Sequence, residues 1–287
     1  VVLVARLGAA DVPVPLWAAL AGPPGPAAAV PPLAYWSETW TEPRPVRLHF
    51  LRLDLRHPAY ETAALVAPDP DGEGPAEATL TSPLRLAESG QAIAAVNANA
   101  FGHLPAATEA ERAKGWYAGK WVDIAGLALA DGALRSQPDQ VLASLWTDTA
   151  GRFHIGVPES LAGARQGVSS WIDRLLSAGV VVARKDEQLH PRTLVGIDAE
   201  AAILLLVVAD GRQKGYSEGL SLTEAADVMK QHGCHEATNL DGGGSSIMLA
   251  QDLAATTPAM MILNRPSGGT PRPIPALLAI RRRAVAP

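Results

Sequence analysis

The stretch from Glu236 to Ala250, EATNLDGGGSSIMLA, constrains this chain more than any other. An apolar run enters it, Asn239 and Asp241 flank Leu240, three glycines follow, then Ser245 and Ser246, and an apolar run leaves. Glycine loses more backbone freedom on ordering than any other residue, so a triplet belongs where the backbone turns through positive φ or approaches another group closely. Two readings follow. In one, the glycines make a strand–turn–strand bend capped by Asp241. In the other, the N–H groups of Gly242, Gly243 and Gly244 form an anion-binding nest with Asp241 beside it.

Length allows one large domain or two small ones, and 48% hydrophobic with 18% charged residues describes a globular chain able to bury a core. A net charge of −5 argues against a nucleic-acid binder, and the cluster Arg281–Arg283 is too short and terminal to change that. The lone Cys234 excludes an internal disulfide without settling the compartment. No apolar run is long enough to span a membrane. The opening VVLVARLGAADVPVPLWAAL, interrupted by Arg6, Asp11, Pro13 and Pro15, reads as a poor signal peptide; without an initiator Met, the chain fits one that begins after a leader.

Residues 1–32 end in GPPGPAAAVPP and read as a Pro/Ala-rich arm or linker, with the folded domain over 33–287. Val46–Leu55 alternates at period two and predicts a half-buried strand. Asp69–Gly74 has calcium-loop residues without the spacing or the closing Glu, and reads as a hairpin tip. Ala92–Val96 predicts a buried strand opening into the polar Asn97-Ala98-Asn99. Thr108 with Glu111, and Ser221 with Glu224, predict capping boxes that start helices. Val168, Trp171, Ile172, Leu175 and Leu176 fit a helical stripe closed by Gly179. The cluster GWYAGKW at 115–121 supplies aromatic faces suited either to a core or to stacking on sugar rings.

Four further stretches carry chemistry. His190-Pro191-Arg192-Thr193 precedes an apolar strand, Asp210-Gly211-Arg212 follows another, Asn97 closes a third, and Arg272 precedes the last. Guanidinium groups match phosphate oxygens bidentately and stay charged at any working pH, so Arg192, Arg212 and Arg272 around a glycine turn describe an anion site in an acidic protein. GGGSS lacks the lysine of a P-loop, and Ser245 lacks the glycine two residues on that a nucleophile elbow needs. His232, Cys234 and His235 have no second pair nearby and read as a helix end instead of a zinc site.

The order of a VNxxxF strand end, HPRT-x-x-G-I, V-x-D-G-R, a capped helix, NLDGGGSS and a closing R-P before an apolar strand resembles the phosphodiester glycosidase family. The resemblance is strong over residues 190–280 and moderate over 90–132. It implies an α+β fold, a mixed, twisted β-sheet core with packed helices in a single domain. It also implies hydrolysis of the bond between a sugar's anomeric carbon and a phosphate, with a small-molecule or glycan sugar-phosphate substrate and a secreted or periplasmic location. The implied site is Asn97, His190, Arg192, Asp210, Arg212, Asn239, Asp241, Gly242, Gly243, Gly244, Ser245 and Arg272. Two departures stand out: VNANAFG replaces a VNGGFF-like segment, and Pro275-Ala276 stands where an asparagine is usual.

On this reading Arg192, Arg212 and the glycine N–H groups hold the phosphate, while Asp241 or Asp210 acts at the anomeric carbon as base or nucleophile. His190 donates a proton or orients Asp241, and Asn97 and Asn239 bind sugar hydroxyls. Asp210 and Asp241 with nearby carboxamides could also hold Ca²⁺ or Mg²⁺. The alternatives are a non-catalytic module for anionic glycans and a phosphodiesterase that cuts P–O on the same scaffold.

Overall fold

The computed structural model describes residues 14–15, 31–172, 174–252 and 258–283. Most of the Pro/Ala-rich arm therefore lies outside the described residues; Val14–Pro15 adds a short edge strand beside Leu33–Trp40.

The segment Val46–Asp54 forms the expected strand, but both of its faces are covered. Val46, Leu48 and Phe50 belong to one core cluster, while Leu51 and Leu53 belong to another. Four layers explain this. An eight-stranded sheet holds Leu33–Trp40, Val46–Asp54, Ile203–Ala209, Arg192–Ile197, Glu236–Asn239 and Arg174–Ser177 in that spatial order, with short edge strands outside them. On the outer face of this sheet pack Leu222, Ala225, Ala226 and Met229 of the helix Leu222–Gln231. The inner face of the eight-stranded sheet meets a five-stranded sheet built on Ala92–Asn97, Met248–Gln251 and Ala276–Arg282. Beyond that sheet lie the helix Pro83–Ser89 and a three-stranded sheet containing Trp121–Ile124. A second five-stranded sheet, including Ser144–Thr147 and Phe153–Gly156, closes one side of the inner core.

This is more β-rich than the α+β expectation. Among the described residues the α-helices span only 7, 5 and 10 residues, and the shortest, Glu109–Ala113, buries none of its side chains. All the strand pairs among the named strands are antiparallel, so the sheets are not mixed. Both predicted capping boxes form, at Thr108–Glu111 and Ser221–Glu224.

The predicted helix over 168–176 does not form. Gln166–Ser169 is a strand in the second five-stranded sheet, and Arg174–Ser177 is a strand in the eight-stranded one. Val168 therefore packs in the inner core, Leu175 and Leu176 in the outer one, and Trp171 and Ile172 in neither. Two short strands entering opposite cores reproduced an apolar spacing that a single helix would also give.

The glycine turn has an analogous place. Glu236–Asn239 belongs to the eight-stranded sheet and Met248–Gln251 to the five-stranded one, so residues 240–247 carry the chain between layers and not around a hairpin. Register then gathers the polar stretches. Arg192 pairs with Ala209 and Leu194 with Asn239, which puts Arg192, Asp210, Arg212 and Asp241 at one end of the sheet.

Candidate active site

Each glycine of the triplet is required for a different reason. An ideal Cβ on Gly242 would sit 2.7 Å from the Pro191 carbonyl oxygen. Gly243 has φ +60°, and a Cβ there would lie 3.1 Å from Arg212 Nη1. On Gly244 a Cβ would come within 2.3 Å of Arg272 Nη2. The turn is thus flat enough for one backbone and two guanidinium groups to lie directly against it.

That packing forms a cleft of about 270 Å³ lined by Trp171, Ile172, His190, Arg192, Arg212, Asn239, Asp241, the three glycines and Arg272. Nine of these eleven residues were expected from sequence; Trp171 and Ile172 were not. The signal for them was faint: Ser169 and Ser170 are poor helix formers inside the predicted helix, and Gly167 directly precedes it. Ile172 has φ +79°, a costly conformation for a β-branched residue, at the rim of the cleft.

The cleft is cationic. Arg192 is anchored by its Nε–H to the Leu220 carbonyl at 3.1 Å and by Nη2 to the Gln188 carbonyl at 3.3 Å. Arg272 Nη1 donates to Ser245 Oγ at 3.4 Å. Arg212, at φ +59°, donates from Nη2 to His190 Nδ1 at 3.0 Å. A guanidinium is always a donor here, so His190 Nδ1 is the acceptor and its proton sits on Nε2, facing Gln188 Oε1 at 3.2 Å. Burial, with the charges of Arg192 and Arg212, lowers the His190 pKa and keeps the ring neutral.

Asp241 is the one carboxylate among the residues lining the cleft. Burial pushes its pKa up to about 6, against the Ser245 hydroxyl, the Arg272 charge and the Gly242 N–H, all of which favour the anion. The Gly242 N–H is thus directed to Asp241, and the Gly243 N–H donates to the Pro191 carbonyl at 2.8 Å. The predicted three-donor nest is therefore corrected: two of its N–H groups are engaged by the protein, and the positive charge comes from guanidinium groups. Asn239 is buried in the lining; its Nδ2 donates to the Trp171 carbonyl at 2.8 Å, while its Oδ1 has no protein partner.

Three expected site residues stand behind the turn instead of in the cleft. Asn97 is buried, donating from Nδ2 to the Asp241 carbonyl at 2.6 Å and accepting at Oδ1 from Thr193 Oγ1 and the Ile247 N–H. With all of these contacts made, it fixes the backbone of Asp241 and does not face the cleft. Ser245 is buried beneath Arg272 and Asp241. Asp210 is fully buried and absent from the lining. Its carboxylate accepts from Asn264 Nδ2 and the Arg265 N–H at 3.0 Å each, and from Tyr216 Oη at 3.2 Å, with His49 Nε2 at 3.3 Å. Asn264 in turn accepts from the Met248 N–H and donates to the Ser246 carbonyl, so Asp210 braces the exit of the glycine turn.

The same geometry does not fit a hard cation. Asp210 and Asp241 do not share a site, Asp210 is saturated by protein donors, and Asp241 shares its cleft with three arginines, of which Arg272 acts on its carboxylate. Among the described residues no group of three or more His, Cys, Asp or Glu side chains is arranged to hold a metal.

Comparison with solved structures places the fold. The zebrafish N-acetylglucosamine-1-phosphodiester alpha-N-acetylglucosaminidase catalytic domain, auto-inhibited by its pro-peptide, superposes with a TM-score of 0.65 at 20% identity, covering 90% of this chain and 86% of that one. A hypothetical protein from Synechocystis gives a TM-score of 0.59 at 14% identity, over 88% of this chain and 62% of that one. A candidate exported protein from Burkholderia pseudomallei gives 0.55 at 15% identity, over 83% and 74%. Comparison with curated protein sequences finds no match. No helix among the described residues is long and apolar enough to cross a membrane. The model of the phosphodiester glycosidase family matches residues 90–281, a span that includes Asp241 and all three cleft arginines, and the chain belongs to that family.

Proposed function

We propose that the cleft hydrolyses the glycosidic C–O bond of a sugar-1-phosphodiester, releasing the sugar and a phosphomonoester. One observation carries this reading: three arginines from separate segments of the chain share one cleft with a single half-buried carboxylate whose pKa is about 6. Arg192, Arg212 and Arg272 neutralise the phosphate as negative charge develops on the leaving oxygen. A phosphate so held departs without a proton, which removes the need for the second carboxyl group that other glycosidases use as general acid. Asp241, ionised above its pKa, attacks the anomeric carbon or takes the proton of the attacking water. Neutral His190 orients Arg212, and Asn239 holds the Trp171 backbone beside the cleft. Asn97 and Asp210 position the turn and do not touch substrate. A secreted or periplasmic setting, where glycan phosphodiesters are exposed, suits this activity.

Hydrolysis of an aryl sugar-1-phosphodiester in ¹⁸O-labelled water tests the reading. Label in the sugar is the expected result. Label in the phosphate overturns it in favour of P–O cleavage, and absence of turnover favours a binding module.

A further inference from the structure

A second cavity, of about 420 Å³, opens beside the Phe101–Gly102 strand and the Glu109–Ala113 helix, outside the cleft described above. His103, Glu111, Tyr117, Lys120 and Trp121 line it. Tyr117 is 46% exposed and Trp121 47%, so two large flat rings stand open to solvent at one cavity. Their neighbour Trp116 does the packing: it meets Phe101 edge-on at 4.9 Å and stacks on His103 at 4.4 Å. Lys120 is locked in place, donating to the carbonyls of Glu111 and Gly115 at 3.0 and 2.6 Å, with its ammonium 4.8 Å from the Trp116 ring and 5.6 Å from that of Tyr117. Nδ1 of His103 is buried with no hydrogen-bond partner.

Preset aromatic faces interspersed with polar groups match the chemistry of a pyranose ring. Its axial C–H bonds lie on the electron-rich ring face while its hydroxyls seek hydrogen bonds at the edge. A nucleic-acid base would also stack, but Lys120 is the one Lys or Arg lining the cavity and its ammonium is engaged by two carbonyls, which leaves no cationic track for the backbone. The cavity is also tethered to the cleft. The Ala98 carbonyl accepts from the Asp241 N–H at 3.0 Å, and His103 follows Ala98 by five residues, a reach of at most about 18 Å. An oligosaccharide of a few units covers that distance.

We infer that this cavity is a secondary glycan subsite, in which the exposed rings of Trp121 and Tyr117 stack on a pyranose ring. That the bound ring belongs to the chain cleaved in the cleft rests on the proposed function; the binding itself does not. Calorimetric titration of the full chain with the hexasaccharides of β-1,4-linked N-acetylglucosamine and α-1,4-linked glucose tests it. Saturable binding of at least one in the millimolar range is expected, weakened about tenfold or more in the Trp121→Ala/Tyr117→Ala double variant. Turnover of a monosaccharide aryl phosphodiester should stay within about twofold of wild type in that variant, because neither ring lines the cleft. Binding of neither hexasaccharide by the wild type, or equal binding by the double variant, overturns the inference. Hexasaccharide binding that depends on the two rings, with no phosphodiester turnover by the wild type, would sustain the subsite while the proposed reaction fails.

Discussion

Arg272 lies across Gly244 so closely that an ideal Cβ on the glycine would sit 2.3 Å from its Nη2 and 2.6 Å from its Cζ. The atoms in the way are the far end of a flexible side chain, and Gly244 does not occupy the left-handed region. In Gly244→Ala the guanidinium therefore moves and the backbone stays. Stability should change by less than about 1 kcal/mol, while kcat/KM for a sugar phosphodiester falls about tenfold to a hundredfold, mostly through KM. Gly242→Ala is the contrast, because its Cβ meets the Pro191 backbone at 2.7 Å and should destabilise the fold by about 1–3 kcal/mol. Urea unfolding beside steady-state kinetics separates the two.

Asp241 should set the acid limb of the pH profile. Its pKa is raised to about 6 chiefly by burial, and activity requires the carboxylate, so kcat/KM should fall as pH drops through that value. Arg272 favours the anion, so Arg272→Gln should move the limb to higher pH. The stability effect has the opposite sign to the catalytic one. A carboxyl with a folded pKa above its unfolded value of 3.8 destabilises the native state once it ionises. Asp241→Asn should therefore abolish turnover yet raise the stability at pH 8 by on the order of 1 kcal/mol, seen as a higher melting temperature. Calorimetric scans at low and high pH would show the gain vanish at low pH.

Asp210 should behave in the reverse way. Its carboxylate serves Asn264, Arg265 and Tyr216 in a fully buried setting, so Asp210→Ala strands several donors at once. A loss of about 3 kcal/mol or more is expected in urea unfolding. Any activity loss should track disorder in the Ser246–Met248 segment that Asn264 holds, read as faster amide exchange there. Full stability with abolished turnover would instead place Asp210 at the substrate.

These contrasts also mark what the sequence could convey. Cationic and glycine-rich motifs are legible because each residue type has few reasons to occur in that company, and Arg192, Arg212, Arg272 and Asp241 do meet in one cleft. Whether a polar side chain faces the cleft or supports it from behind depends on which layer each strand joins, and periodicity does not encode that. Asn97 ends a buried strand and Asp210 directly follows one, just as Arg192 begins one, yet their partners lie inward. Strand pairing between distant segments likewise decided the fate of residues 168–176. Their apolar spacing satisfied a helix locally, but Val168 pairs with Leu145 and Leu176 with Ala237, in two different sheets. The capping boxes were read correctly because they are closed within four residues.

His232 offers a last measurement, away from the cleft. Its Nδ1 faces the Val228 carbonyl and its Nε2 faces Glu38 Oε1, each at 2.9 Å, so both ring nitrogens are donors and the ring is an imidazolium. Burial opposes the charge, but the Glu38 and Val228 contacts outweigh it and raise the pKa above 6.5. Glu38 is buried too, yet its bonds to His232 and Trp36 hold its pKa below 4.5. The histidine contribution is complete below 6.5 and lost as pH rises through the folded value; the glutamate contribution is complete above 4.5 and lost as pH falls through its own. Both are present together only between those limits. Glu38→Gln should therefore cost on the order of 2 kcal/mol near pH 5.5 and progressively less above the folded His232 pKa, as measured by urea unfolding across pH. A penalty that stays constant to pH 9 would mean that the pair is held by packing against Phe50 and not by charge.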